Sequence, residues 1–300
     1  MGAITRMQCE SDVDGRRRRR LRRGNLIDTS KAAGYLFKVT ETREEVESAL
    51  RVVYTCYRQF GLVGASPAGV RVTFHHILPD TRILVAKKDD EIHSTLTMVP
   101  DGTFGLPMEH EFGDSLRQLR ENGARLAEIT SLATLAEYRR LSLFMYLYRL
   151  LLLIGRSRQL TDFVLVVNPK HVRFYRDILL FEQIGPERSY GAVYGAPGVP
   201  FRMNIERTLS EGHRIYTEGK VEQDLYDFFS GPWKGGHAVL GPGRPPDETT
   251  LRFLLGVLPV APDAEQSRLL VDLYRQADAD IDWQNALATP SPIGQAPHNP

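Results

Sequence analysis

The 300-residue chain is 42% apolar and 25% charged, with two cysteines and a formal net charge of +1. That composition excludes collagen-like, disulfide-framed and wholly disordered chains and suits one large folded domain, with or without an appendage. No segment supplies the roughly 18 consecutive apolar residues of a membrane helix, and the small net charge hides an asymmetry, +5 over residues 1–25 and −4 over the rest.

Seven arginines between Arg16 and Arg23 form a self-repelling run, so residues 1–33 are read as a disordered tail. Such a run can contact nucleic acid or an anionic membrane. No aromatic residue interleaves with it, however, and a solvated tail outranks that reading. Arg23 is followed by GNLIDTSKAAG rather than an apolar stretch, so no signal peptide is expected and the predicted location is cytoplasmic. Cys9 lies in the tail and Cys56 on an apolar helix face. Neither has metal-ligand spacing, and a reducing compartment fits.

Tyr35 to Val39 reads as a short strand. Thr42-x-x-Glu45 is a capping box, and Val46, Ala49, Leu50, Val53, Tyr57 and Phe60 recur with helical spacing until Gly61 and Gly64. The turn-rich stretch GASPAGVRVTFHHILPDT is predicted to be a loop over a site. His75 and His76 there have no Cys or carboxylate at ligand spacing, so no metal is expected. RILVAKK and EIHSTLTMV form a hairpin joined at Asp89-Asp90. The second strand alternates Ile92, Ser94, Leu96 and Met98 with His93, Thr95 and Thr97, which predicts a half-buried strand and a structural His93. A loop from Pro100 to Pro107 precedes an amphipathic helix over Met108–Asn122, with Phe112, Leu116 and Leu119 on its apolar face.

RLAEITSLA follows as a strand with a carboxylate, Glu128, inside it. YRRLSLFMYLYRLLLLIGRSRQ is predicted as one long helix, apolar on nearly every side and therefore buried against a sheet. FVLVV is a strand covered on both faces. Asn168-Pro169 opens the next helix, which carries Tyr175 and is followed by a return strand at Phe181. Gly185 to Pro200 leads to a final edge strand, FRMNI. After about Leu209 helices are expected at Val221–Phe229, Thr249–Leu258 and Ala264–Ala279, with a Pro/Gly stretch between Gly231 and Pro246. The domain reading is a core over 34–208, a helical appendage over 209–286 and a disordered end over 287–300. The order of elements predicts an α/β (α+β) fold, a mixed central sheet flanked by helices.

That order, together with ALRVVYTCY, FHHILPDTRILVAKK, STLTMVPD, GLPM, AEITSLA and NPKHVRFYRDILLFEQIGPERSYGAVYGAP, resembles the N-acyl amino acid synthases. These are a branch of the Gcn5-related N-acetyltransferase fold related to the acyl-homoserine lactone synthases. The resemblance covers roughly residues 36–206. It implies transfer of a long-chain fatty acyl group from an acyl-carrier-protein thioester to the α-amine of an amino acid. Carrier protein and amino acid would be the partners, with no metal and no cofactor beyond the thioester co-substrate. Acetyltransferases of this fold usually hold the coenzyme A pyrophosphate with a glycine-rich loop opening the long helix. EYRRLSLF from Glu137 has no glycine there, which argues for a carrier protein. The lactone synthases typically show Glu-x-Ser-Arg on the central strand; Glu128-Ile129-Thr130-Ser131 lacks the Arg, which argues against lactone synthesis. A lactone synthase using S-adenosylmethionine and a non-catalytic acyl-sensing regulator stay as alternatives.

Two readings of Glu128 remain open. Buried, its pKa rises and it takes the amine proton or holds the ammonium; turned outward, it pairs with an arginine. Tyr175 either protonates the leaving thiolate, as the resemblance implies, or packs into the core. Asn168 is a helix cap or a donor contact. The resemblance also implies a backbone N–H near Ser131–Ala133 to polarise the thioester carbonyl. Leu96, Met98, Phe144, Met145, Tyr148 and Leu151 line an acyl slot or are ordinary core. From Glu137 to Asp177 eight Lys/Arg face three acids. Arg139, Arg140, Lys170 and Arg173 in this run are candidates for carrier-protein docking, because carrier proteins are acidic.

Overall fold

A computed structural model describes residues 27–217, 225–241, 243–279, 281–283 and 286. The arginine run, Cys9, the first residues of the helix expected from Val221 and most of the carboxy-terminal end lie outside them. Strands β1 (Leu36–Val39), β2 (Arg82–Lys88), β3 (Glu91–Pro100), β4 (Leu126–Thr134), β5 (Asp162–Val167), β6 (Glu182–Gln183), β7 (Arg188–Tyr190), β8 (Ala196–Asn204) and β9 (His237–Val239) make one mixed sheet. Its order is β6-β8-β5-β4-β3-β2-β1-β9, with β7 also pairing β8. Neighbours are antiparallel except β4 with β5 and β1 with β9. The mixed sheet flanked by helices is the architecture that the order of elements implied.

One face carries α1 (Arg43–Gln59), α2 (Glu109–Glu121), α7 (Glu248–Val257) and α8 (Ala264–Gln276); the other carries α3 (Leu143–Ser157), α4 (Val172–Asp177), α5 (Ile205–Thr217) and α6 (Leu225–Ser230). Strand alternation sorts the two cores. Ile83 and Val85 join the α1 side, whereas Leu84 and Ala86 join the α3 side. Thr42 caps α1, accepting from the Glu45 N–H at 3.3 Å, but the Glu45 carboxylate accepts from the Glu41 N–H at 3.0 Å rather than from Thr42, so only half of the expected capping box forms.

Several elements differ from the sequence reading. β3 is buried on both faces, because Thr95 and Thr97 face the α1 side together with Val85 and Ile83, and Tyr35 and Tyr138 cover His93. The long helix begins only at Leu143. A 3-10 turn at Ala136–Leu141 and a left-handed Ser142 (φ 56°) precede it. The last strand is not an edge strand: β8 starts at Ala196 and pairs β5 on one side and β6 and β7 on the other. Three of these elements had not been expected: strand β7 within the stretch from Gly185 to Pro200, helix α5 directly after β8 and strand β9 inside the Pro/Gly stretch.

Helix α3 lies close to β5 because Gly155 has no side chain. A Cβ there would sit 2.5 Å from Phe163 Cζ and 3.3 Å from Ile205 Cδ1. Phe163 is completely buried and cannot swing away. Overpacking of this kind costs roughly 1–3 kcal/mol, so Gly155→Val should lower the urea midpoint by the equivalent of about 2–3 kcal/mol at unchanged m-value. An unaltered midpoint would mean that α3 tolerates a wider spacing from the sheet.

Candidate active site

β4 and β5 pair at only three positions, Leu126–Asp162, Ala127–Phe163 and Glu128–Val164. Beyond Glu128 the two strands run on without further pairing. The parting coincides with a bulge on the other side of β4. Thr97 opposes Thr130 and Thr95 opposes Ala133, so Ser131 and Leu132 have no register partner in either neighbouring strand. Ser131 adopts φ 53°, a left-handed conformation uncommon for a residue with a Cβ.

Glu128 sits at the last paired position, between Val99 and Val164, both fully buried. It is 1% exposed. Its Oε2 accepts the Met108 N–H at 2.8 Å and its Oε1 accepts the Tyr190 hydroxyl at 3.5 Å. Burial pushes the carboxyl up to about 8, against the opposing pull of those two hydrogen bonds. Of its two sequence readings, the carboxyl turned outward onto an arginine is not the one observed. Tyr190 in turn is raised by burial and by the Glu128 and Glu111 carboxylates.

Tyr175 lies on the opposite face of the sheet, against the α3 core. Its hydroxyl accepts from Tyr148 at 3.1 Å, which leaves its own proton free to be donated. Burial holds it up at about 12. Glu128 and Tyr175 are therefore not neighbours on one surface; they lie on opposite faces of the sheet.

At the mouth, Arg139 follows β4 and Lys170 follows β5. Their cations stand 5.4 and 4.9 Å from the Phe60 ring, which is 54% exposed. Arg139 also donates from Nε to the Thr134 carbonyl at 3.3 Å. Arg140 and Arg173 are exposed. Asn168 caps the turn at Pro169–His171, accepting the Lys170 N–H at 3.2 Å. Leu96, Met98, Met145 and Leu151 are completely enclosed in the core, and Phe144 is half-buried against Phe174. Tyr148 alone of the acyl-slot candidates borders open space. A small apolar pocket of about 40 Å³ is lined by Tyr148, Leu152, Phe181, Met203, Leu209 and Phe229, among others. Six of its thirteen lining residues come from α5 and α6, which sequence reasoning had not connected with the site.

Arg71 is a second residue the sequence did not single out; nothing marks it within GVRVTF. It reaches the bulge, donating from Nη1 to Ser131 Oγ at 3.1 Å and from Nη2 to the Ala192 carbonyl at 2.9 Å. Its guanidinium stands 5.1 Å from the Tyr57 ring centroid. His76 is buried beside it. Burial and then the Arg71 charge drive its pKa down to about 3, so it is neutral. His93 holds Tyr35 at 2.7 Å and stacks on Tyr138. Among the described residues no cluster of His, Cys, Asp and Glu is placed to hold a metal, and no helix is long and apolar enough to cross a membrane.

The parted sheet, the bulge beside it and the buried carboxyl at the fork make up the candidate site. The sequence model of the N-acyl amino acid synthase FeeM family matches residues 48–204, more than half the chain, and the chain belongs to that family. The structure of FeeM, an N-acyl amino acid synthase from uncultured soil microbes, is 25% identical, with a TM-score of 0.52 over 59% of this chain and 93% of that one. BjaI, a coenzyme A-dependent acyl-homoserine lactone synthase, is 14% identical, with a TM-score of 0.48 over 64% and 97%. No curated protein sequence matches significantly.

The buried carboxyl sets a sign for stability against pH. Its folded pKa, about 8, lies above the ordinary carboxylate value, so the fold favours the protonated form. Stability relative to a neutral side chain is then highest below about pH 4, the unfolded value, and falls as pH rises toward 8. Glu128→Gln should melt above the parent by a margin that widens from pH 5 to 8 and then levels off. A margin independent of pH would show that Glu128 ionises normally.

Proposed function

We propose that the protein joins a long-chain acyl group, delivered as a carrier-protein thioester, to the α-amine of an amino acid. The observation that carries this is the buried Glu128 at the last paired position before β4 and β5 part. A general base works best with a pKa near the operating pH, and burial places Glu128 there. The neutral amine attacks the thioester carbon from the α1–α2 face, and Glu128 accepts the proton it releases. The carbonyl oxygen gains negative charge within reach of the unpaired backbone at Ser131 and Leu132, where an N–H can stabilise it. As the C–S bond breaks, Tyr175 on the other face donates its proton to the departing thiolate. Sulfur leaves as thiol, and the acyl–nitrogen bond is the new amide. No covalent enzyme intermediate is required.

The donor assignment draws on charge and on the loop before α3. Arg139 and Lys170 flank Phe60, and the exposed Arg140 and Arg173 follow them in sequence, which supports a basic rim suited to an acidic carrier. The 3-10 turn there has no glycine and offers side-chain cations rather than a row of close backbone N–H groups for a pyrophosphate. Asn168 is engaged in capping and is assigned no more than a positioning role. The first carbons of the acyl tail are assigned to the small apolar pocket beside Tyr148, which replaces the slot suggested by Leu96, Met98, Phe144 and Met145.

Incubation with acyl-carrier thioesters and pooled amino acids, followed by mass spectrometry, should yield N-acyl amino acids. A product formed only with S-adenosylmethionine, or none at all, would refute the assignment. Glu128→Gln should lower turnover at least ~10²-fold and abolish the rise in rate toward pH 8. Near-normal turnover would remove it from the mechanism. Leu209→Trp, which fills the pocket, should shift preference toward shorter acyl chains while leaving short-chain turnover unchanged. Equal loss for every chain length would move the tail elsewhere.

A further inference from the structure

Arg71 poses a question that its hydrogen bonds do not answer. A guanidinium carries five N–H donors and a permanent charge. Here its two side-chain bonds go to a neutral hydroxyl and a neutral carbonyl, and no carboxylate among the described residues forms an ion pair with it. The nearby acids are occupied. Glu128 accepts from Met108 and Tyr190, and Glu111 accepts the Gly191 N–H at 3.0 Å. His76, the neighbouring imidazole, faces Thr73 and Thr97 and offers no negative charge. A half-buried cation with no counter-ion, held in place by two hydrogen bonds and an aromatic face, is ready for an anionic ligand.

Its position says which anion. Leu126 and Ala133 of β4 lie in the cores on the α1–α2 face, whereas Ala127 and Ile129 lie in the core on the α3 face. Glu128 therefore projects toward α1 and α2. The bulge turns Ser131 to the same side, where Arg71 meets its hydroxyl. The separation along the strand from Glu128 to Ser131 is on the order of 10 Å. One α-amino acid with a hydrogen bond of about 2.9 Å at each end spans a similar length. Building on the acyltransferase reading, we infer that Arg71 is the subsite for the α-carboxylate of the acceptor, holding it while Glu128 receives the proton of the α-amine. The bulge thus measures the substrate, and an amine lacking an adjacent carboxylate has no counterpart for the guanidinium.

The test compares a free amino acid with its carboxamide, which keeps the amine and side chain but loses the charge. The parent protein should favour the free acid at least ~10²-fold in kcat/KM, as expected for a charged hydrogen-bonded contact. Arg71→Gln should raise KM for the acid ~10²-fold, leave the amide nearly unaffected and bring the preference close to unity. Arg71→Lys should restore part of it. Thermal melting of each variant controls for folding. If Arg71→Gln loses acid and amide equally, the residue only braces Ser131 and Ala192 and the inference is overturned. Equal use of acid and amide by the parent also overturns it while leaving the acyltransferase assignment intact. Failure of the parent to acylate any amine would overturn that assignment, and this inference with it.

Discussion

The structure depends on one failure of pairing. A parallel strand pair normally hydrogen-bonds along its length, yet β4 and β5 stop after Glu128–Val164. The bulge at Ser131 bends β4 and raises its local twist, so it diverges while β5 stays straight against β8 over six register positions. Peptide groups left unpaired in the interior need partners. Side chains meet part of that need: Arg139 and Cys56 both donate to the Thr134 carbonyl, and the Ser94 hydroxyl donates to the Ala133 carbonyl.

Placing a carboxyl at that fork is costly in isolation, because Val99 and Val164 exclude water from it. The protein meets the cost with a raised pKa, which delays ionisation, rather than with a cation. Two donors, from Met108 and Tyr190, hold its orientation without cancelling the rise in pKa. An arginine at Glu128 would have stabilised the ion and lowered its basicity. The Arg71 guanidinium instead stops at Ser131. The same face of the sheet thus presents a carboxyl of raised pKa and, along β4 from it, a cation that forms no ion pair among the described residues.

The strands, the first helix, the hairpin and the buried long helix were legible in the sequence because each has a clear period and a cap or turn beside it. The burial of Glu128 was legible only as a condition, since LAEITSLA alternates too weakly to show which way a single carboxylate points. β3 was misread as half-buried because threonine and histidine count as polar, although Thr95 and Thr97 face the α1 side and Tyr35 and Tyr138 enclose His93. β9 and α5 were missed for different reasons. His237–Val239 is three residues long and exists only because β1 offers an edge, while Ile205–Thr217 begins without a break at the end of β8. Arg71 was invisible because its role depends on a loop crossing to a bulge 60 residues away.

The carboxy-terminal segment shares its core with the site. Leu225 and Phe228 belong to the same packed cluster as Met145, Tyr148 and Phe163, and Leu251, Leu254 and Tyr274 to that of α1. Its attachment to α3 runs through Arg149, which is 3% exposed. The guanidinium donates to the Gly231 carbonyl at 2.6 Å and faces the Phe228 and Trp233 rings at 5.1 and 4.6 Å. Aromatic faces suit a guanidinium better than an ammonium, being satisfied by a weakly hydrated planar cation. The clasp fixes α6 over α3, and α6 with α5 walls the pocket beside Tyr148. Stability of the carboxy-terminal helices and the shape of that pocket are therefore one physical property: loosening the Arg149 clasp opens the pocket before it disturbs Glu128, which is anchored from the other face of the sheet.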